Sequence, residues 1–105
     1  MADADAVFAA LADPTRRGIL LVLAGGSAGT ASELARTLPI SRQAVSKHLS
    51  ALAEAGLVES ERSGRETRYR PTPAPLDEAA AWMAEVGTLW DARLAALTRL
   101  VERPA

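Results

Sequence analysis

The alternation of apolar and polar residues predicts that the first half of the chain is helical. Apolar residues recur every three or four positions in four segments, the spacing of a buried helix face. Each of the last three segments follows a residue that caps helices well, namely Asp13, Thr30 and Ser41. We therefore expect helices over about 3–12, 14–24, 31–37 and 41–55. Their apolar stripes consist of Val7, Phe8, Leu11, Ile19, Leu20, Leu23, Leu34, Val45, Leu49 and Leu52.

The pattern changes after Gly56, a residue suited to the left-handed conformation that ends a helix. Two short extended runs, 57–62 and 67–71, flank a four-residue loop with a glycine, which predicts a β-hairpin. Three prolines then predict a linker, and a last helix is expected over about 76–102. Apolar residues recur along this helix at Ala79, Ala80, Met83, Val86, Trp90, Leu94, Leu97 and Val101.

The order of these elements is typical of a winged helix-turn-helix domain. Two short helices joined by a tight turn form the helix-turn-helix, and the hairpin that follows is the wing. We predict a mainly α fold with a β-hairpin wing, in one domain over 1–105. The helix-turn-helix is expected at about 30–55 and the wing at about 57–71.

The start of the fourth helix carries a polar patch suited to reading DNA. In a helix-turn-helix, the first residues of the second helix contact base edges in the major groove. Arginine can make two hydrogen bonds to guanine and glutamine two to adenine, while a serine and free amides can hold a phosphate. The residues four apart in this patch share a side of the helix away from its apolar stripe. We expect DNA contacts from Ser41, Arg42, Gln43, Ser46 and Lys47.

The predicted hairpin is rich in arginine. Arg62, Arg65, Arg68 and Arg70 lie on it, with Tyr69 among them. Arginine binds the phosphate backbone and is favoured in the negative potential of the minor groove. We predict that Arg62, Arg65 and Arg68 contact DNA, with Arg65 near the tip. A hairpin that is merely soluble is the alternative interpretation.

The distribution of charge along the chain supports a DNA-binding face, although the total net charge does not. The 105 residues carry a net charge of −1, which by itself argues against nucleic acid. The first and last thirds each carry −2, whereas residues 36–70 carry +3. A localised basic face is what phosphate binding requires.

The composition excludes several other classes of function. The chain has no cysteine and one histidine, so neither disulfides nor thiolate metal sites are available. We expect no signal peptide, no membrane span and a cytoplasmic location. No Gly-rich phosphate loop and no histidine beside a nucleophile is recognisable, so we do not expect an enzyme.

Three segments carry a resemblance to a known family. They are Phe8–Arg17 (FAALADPTRR), Ile40–Leu49 (ISRQAVSKHL) and Leu52–Val58 (LAEAGLV), and together they closely resemble the ArsR/SmtB family of winged-helix repressors. The resemblance implies a homodimer that binds operator DNA and blocks transcription. It also implies that the first and last helices form the dimer interface, at Val7, Phe8, Leu11, Met83, Val86, Trp90, Leu94 and Leu97.

The chain departs from the metal-sensing members of that family. The family's thiolate site falls at Thr30 and Ser32, and the last helix contains no histidine for the other known site. We therefore expect no metal and no cofactor, as in the metal-independent branch of the family.

Two other functions remain open at this point. A winged helix can keep its fold and serve as a protein-interaction module without specific DNA binding. A small apolar effector could also bind a dimer cavity near Met83, Trp90 and the first helix, which is compatible with repression. The sequence identifies neither the operator nor an effector.

Overall fold

The computed structural model describes residues 4–26 and 29–102, and over these residues it has the predicted architecture of a winged helix-turn-helix. Five helices and one two-stranded antiparallel sheet are present in this part of the chain. The predicted start of the first helix at Asp3 lies outside the described residues. In chain order, the elements are α1 (Ala4–Leu11), α2 (Pro14–Ala24), α3 (Ala31–Thr37), α4 (Arg42–Glu54), β1 (Val58–Ser63), β2 (Glu66–Pro71) and α5 (Pro73–Val101).

Side-chain caps fix the starts of α2, α3 and α4. The carboxylate of Asp13 accepts the backbone N–H groups of Thr15 and Arg16, at 2.8 and 3.2 Å. The hydroxyls of Thr30 and Ser41 each accept an N–H three residues later, both at 3.1 Å. These side chains bond amides that have no partner inside the helix. All three predicted caps are therefore confirmed.

The apolar stripes of the first four helices meet in one core. The residues predicted to point inward from α2, α3 and α4 are all buried, and Leu49 and Leu52 are 0% exposed. Helix α4 ends as predicted at Gly56, whose φ of +79° is accessible to glycine at little cost. The N–H of Leu57 then donates to the carbonyl of Leu52 at 2.9 Å, which folds the chain back and buries Leu57 in the core.

Two predicted boundaries were wrong. Helix α5 begins at Pro73, not near Leu76, because two of the prolines assigned to a linker lie in its first turn. Proline is tolerated there because the first N–H groups of a helix have no intrahelical acceptor. The hairpin loop has two residues rather than four, since pairing continues to Ser63 and Glu66. Gly64, at φ +62°, takes the first position of this turn, and Arg65 has a negative φ, as in a type II′ turn.

Helix α5 projects well beyond the rest of the domain. Its 29 residues span about 44 Å, and the described residues measure 74 × 30 × 22 Å. The radius of gyration is 19.0 Å, against about 13 Å for a compact domain of this size. Despite its length, α5 is not apolar enough to cross a membrane, and neither is any other described helix.

Candidate nucleic-acid interface

The first turns of α4 present polar side chains on two sides of the helix. The Ser41 hydroxyl accepts the N–H of Ala44 and so caps the start of the helix. Arg42, Gln43 and Lys47 are exposed and Ser46 is half-buried, while Val45 is 0% exposed on the inner face. The predicted division of the helix into an exposed polar face and a buried apolar face therefore agrees with the structure.

The two sides of this patch line different surfaces. Arg42 and Ser46 face the wing, and with it they line an open cleft of about 440 Å³. Gln43 and Lys47 line a shallow depression on the other side, together with Ser41. The i, i+4 spacing of each pair produces this division. A duplex lying along the start of α4 would thus meet both pairs.

The cleft between α4 and the wing contains charges of both signs. Four arginines line it, and three of them, Arg42, Arg65 and Arg68, were predicted to contact DNA. Arg36 on α3 was missed by the sequence analysis, although its place three residues after Glu33 puts both on one helix face. The complete lining is Thr30, Ala31, Ser32, Glu33, Arg36, Arg42, Ser46, Arg65, Glu66, Thr67, Arg68 and Tyr69.

The arginines of the wing are not equivalent. Arg70 is paired with Glu59 at 2.9 Å and with Glu61 at 3.8 Å, carboxylates on the same face of the sheet. Arg68 is paired with Glu66 on its own strand and with Glu33 on α3, both at 3.3 Å. The hairpin is therefore much less basic than its four arginines suggest, and its positive charge lies toward the turn.

The two remaining wing arginines lie at different places. Arg65 occupies the turn, and no ion pair involves it among residues 4–26 and 29–102. Arg62 lies on β1, where its Nε donates to the carbonyl of Gly64 at 3.2 Å. It is not among the residues that line the cleft. The structure thus brings Arg65 and Arg68 to the cleft and leaves Arg62 outside it.

Helix α3, the first helix of the helix-turn-helix, contacts the wing through Glu33. Its cap is a complete capping box, because the N–H of Thr30 donates to Glu33 Oε1 at 3.2 Å while the Thr30 hydroxyl accepts the Glu33 N–H. The same Oε1 lies 3.3 Å from Arg68. The backbone N–H of Thr30 and then its side chain, aided by the charges of Arg68 and Arg36, hold the pKa of Glu33 below its ordinary value.

A second surface, the apolar face of α5, is exposed over most of its length. Trp90 is 63% exposed and Leu97 56%, although both are large apolar side chains. Near its start this face packs on α1, where Phe8 and Trp82 meet edge to face with ring centroids 5.5 Å apart. The exposed apolar residues are Trp82, Met83, Leu89, Trp90, Leu94, Leu97, Leu100 and Val101. Leu89 and Leu100 were missed by the sequence analysis, although a spacing of 11 residues puts them on one side of a helix.

One residue expected at the dimer interface lies elsewhere. Val7 is 1% exposed within a single chain, so its side chain belongs to the chain's own core. Phe8 and Leu11 are half-buried, and Val86 is half-buried on α5. The apolar residues of α1 therefore differ in burial, since Val7 faces the core whereas Phe8 and Leu11 lie nearer the surface.

A small apolar cavity lies between α1 and the start of α5. It has a volume of about 80 Å³ and is lined by Ala4, Val7, Phe8, Pro75, Glu78, Ala79 and Trp82. The effector site left open by the sequence was a cavity of the dimer near Met83, Trp90 and the first helix; the first helix lines the present cavity, whereas Met83 and Trp90 do not. Among residues 4–26 and 29–102, histidine and carboxylate side chains form no group of three or more that could hold a metal ion.

Comparison with known proteins identifies close relatives of the chain. Residues 11–61 match the helix-turn-helix domain family. The solved structure of an ArsR-like transcriptional regulator from Rhodococcus is 48% identical, superposes with a TM-score of 0.80, and is matched over 96% of this chain and 94% of that one. The transcriptional repressor SdpR of Bacillus subtilis is 38% identical over 77 residues, which cover 73% of this chain and 84% of the repressor.

A further relative bears on assembly. The homodimeric winged helix-turn-helix DNA-binding domain of a possible ArsR-family regulator from Mycobacterium bovis is 31% identical. It is matched over 83% of this chain and 77% of its own, with a TM-score of 0.61. The matched relatives are transcriptional regulators rather than enzymes.

Proposed function

Because the chain belongs to the ArsR family of winged helix-turn-helix transcriptional regulators, we propose that it is a homodimeric repressor of transcription. In this proposal α4 reads the major groove of an inverted-repeat operator. The dimer bound there blocks transcription. Two-fold symmetry predicts half-sites about one helical turn apart, ~34 Å. In this proposal the protein acts in the cytoplasm, where it would reach its operator. The proposed DNA contacts are Ser41, Arg42, Gln43, Ser46, Lys47, Arg62, Arg65 and Arg68.

The observation that carries the proposal is the open cleft between α4 and the wing. Arg42 from the start of α4 and Arg65 from the turn of the hairpin line this one cleft. Base-reading side chains and a phosphate-binding arginine are therefore held at a fixed separation by packed elements. The exposed Gln43 and Lys47, on the other side of α4, extend the reading surface. This arrangement favours DNA binding over the alternative that the polar residues of α4 are only a solvated helix face.

The exposed apolar face of α5 supports the dimer. Large apolar patches on a soluble domain generally mark an interaction surface. Leu94 and Leu97 are more than half exposed in the single chain, and a second copy of the same helix would cover them. The interface proposed here consists of Phe8, Leu11, Met83, Val86, Trp90, Leu94 and Leu97, without Val7.

The test begins with purified protein and a library of random duplexes. Selection would define the preferred sequence, and binding to it would be compared with a scrambled duplex across a salt series. We expect an inverted repeat that is bound ~10³-fold or more tightly than the scrambled duplex, with a steep salt dependence. The matched variants are Gln43→Ala in the reading patch and Ser50→Ala, an exposed position further along α4. Only Gln43→Ala should weaken the preference.

Two results would count against the proposal. Enrichment of no sequence, with equal and weak binding to all duplexes, would favour a protein-interaction module over a repressor. Specific binding that Gln43→Ala and Ser50→Ala altered equally would show that the start of α4 does not read the bases.

A further inference from the structure

The cleft proposed to bind DNA contains two carboxylates that a phosphate backbone would not favour. Glu33 and Glu66 line it together with the arginines, and both flank Arg68 at 3.3 Å. The side chains are only partly exposed, with Arg68 at 40% and Glu33 at 45%. Their charges therefore act on one another within the cleft and on any phosphate that enters it.

The two glutamates contact different nitrogens of the Arg68 guanidinium. Glu33 Oε1 also accepts the Thr30 N–H in the capping box, which ties this carboxylate to the start of α3. Glu66 lies at the start of β2, two residues before Arg68, and Glu66 Oε2 accepts a hydrogen bond from the Arg68 NH2 group. The guanidinium thus bridges the wing and α3, whereas Arg65 has no such partner among the described residues.

We propose that Glu33 and Glu66 are positioning residues that set the specificity of the cleft. They direct Arg68 to one place between the wing and α3, and they prevent it from binding phosphates without regard to sequence. The inference rests on the proposed DNA binding. It assigns the general phosphate contact of the wing to Arg65 and a restrained contact to Arg68.

Complexes with scrambled DNA and with the operator are held by different contacts. Binding to a scrambled duplex is almost entirely electrostatic, so one more mobile arginine adds one more phosphate contact. In the operator complex, base contacts from α4 fix the register, and Arg68 meets only the phosphate at that place. Releasing Arg68 should therefore strengthen binding to scrambled DNA more than binding to the operator.

Glu66→Gln is the variant that tests this, because it loosens Arg68 by removing one of its two carboxylate charges. Glu33 stays in place, since it also belongs to the cap of α3. Glu59→Gln is the matched control, since it removes the same charge from one of the two carboxylates paired with Arg70, on the same hairpin but outside the cleft. With Glu66→Gln we expect roughly threefold tighter binding to scrambled DNA at low salt and a salt slope steeper by about 0.9. The operator preference should fall about threefold relative to wild type, and Glu59→Gln should leave preference and slope unchanged.

A double mutant tests whether Glu66 acts through Arg68. In an Arg68→Ala background, Glu66→Gln should no longer steepen the salt slope, because the arginine to be released is absent. A structural role of Glu66 alone would change stability without changing that slope.

Three results would overturn the inference while leaving the proposed function intact. These are equal effects of Glu66→Gln and Glu59→Gln, equal gains on operator and scrambled DNA, and a steeper slope that persists without Arg68. Wild-type protein that binds no DNA would instead overturn the proposed function itself, and this inference with it.

Discussion

Gly29 and Tyr69 exchange two backbone hydrogen bonds, of 3.0 and 2.8 Å, and so fasten the wing to the segment that precedes α3. Tyr69 lies on β2 directly after Arg68, so this bridge and the Arg68–Glu33 ion pair join the same two elements side by side. The backbone bridge is the stronger tether because an exposed ion pair contributes little to stability. The orientation of the wing relative to α4 therefore depends on Gly29.

We predict that Gly29→Pro disturbs the wing. Proline has no N–H to donate to the Tyr69 carbonyl, and the lost bond leaves that acceptor without its partner. The free energy of unfolding should fall by about 1–3 kcal/mol, and affinity for every duplex should fall with it. Denaturant unfolding and DNA titration would measure the two effects.

Gly29→Ala is the control for that substitution. An added Cβ would lie 3.5 Å from the nearest side-chain atoms of Leu23 and Leu34, an ordinary contact distance. Alanine also keeps the N–H, so the free energy of unfolding should stay within about 0.5 kcal/mol of wild type. Equal losses in both variants would mean that the site, rather than the hydrogen bond, is sensitive.

The reading patch and the wing should respond differently to mutation. Arg42→Ala should cost about 1–3 kcal/mol of operator binding and relax the base preference, because it removes the proposed contact to a base edge. Arg65→Ala should weaken operator and scrambled duplexes alike and reduce the salt slope by about 1, because it removes the proposed phosphate contact. Titrations of both variants across a salt series distinguish the two roles. A base-specific loss with Arg65→Ala would contradict its assignment to the backbone.

Most of the fold could be predicted because its signals are local. Asp13, Thr30 and Ser41 each satisfy amides within three residues, so their effect is visible in the sequence alone. Pro73 misled the prediction because proline occurs both in linkers and in the first turn of a helix. The short turn was missed because Gly64 permits either loop length, and only the pairing of Ser63 with Glu66 decides between them.

The site was predicted less completely because its charges meet through tertiary contacts. The side chains at the start of α4 lie on one helix, so their spacing alone places Arg42 and Gln43 on different sides of it. The pairing of Arg68 with Glu33 depends on the approach of β2 to α3, which no local pattern encodes. The ion pairs of Arg70 with Glu59 and Glu61 depend on the register between β1 and β2. Counting arginines therefore overestimated the positive charge of the wing.

The apolar face of α5 gives a prediction about assembly. Leu97→Glu should yield a monomer, because it places a charge in the face that a second copy would cover. Operator affinity should fall about 10²-fold or more, since each half-site would then be bound independently. Leu97 is 56% exposed in the single chain, so the monomer should keep its helical content. Sedimentation, circular dichroism and DNA titration would measure these properties.

Ala95→Glu is the matched control on the same helix. Two residues earlier than Leu97, it lies about 160° away around the helix axis and is also exposed. This variant should remain dimeric and bind the operator as wild type does. A wild-type protein that sediments as a monomer at micromolar concentration would contradict the proposed interface directly.

The lowered pKa of Glu33 predicts how stability depends on pH. Backbone and side-chain hydrogen bonds from Thr30, with the charges of Arg68 and Arg36, favour the ionised carboxylate and hold its pKa below the ordinary 4.5. The resulting stabilisation is complete above the pKa of the unfolded chain and is lost as the pH falls through the lower pKa of the folded chain. Glu33→Gln keeps an acceptor for the Thr30 N–H but carries no charge, so wild type should be the more stable protein near pH 7. Denaturant unfolding at a series of pH values should show the difference shrinking as the pH falls below about 4.5, and a difference that remained constant down to about pH 2 would contradict the charge-based account of this cap.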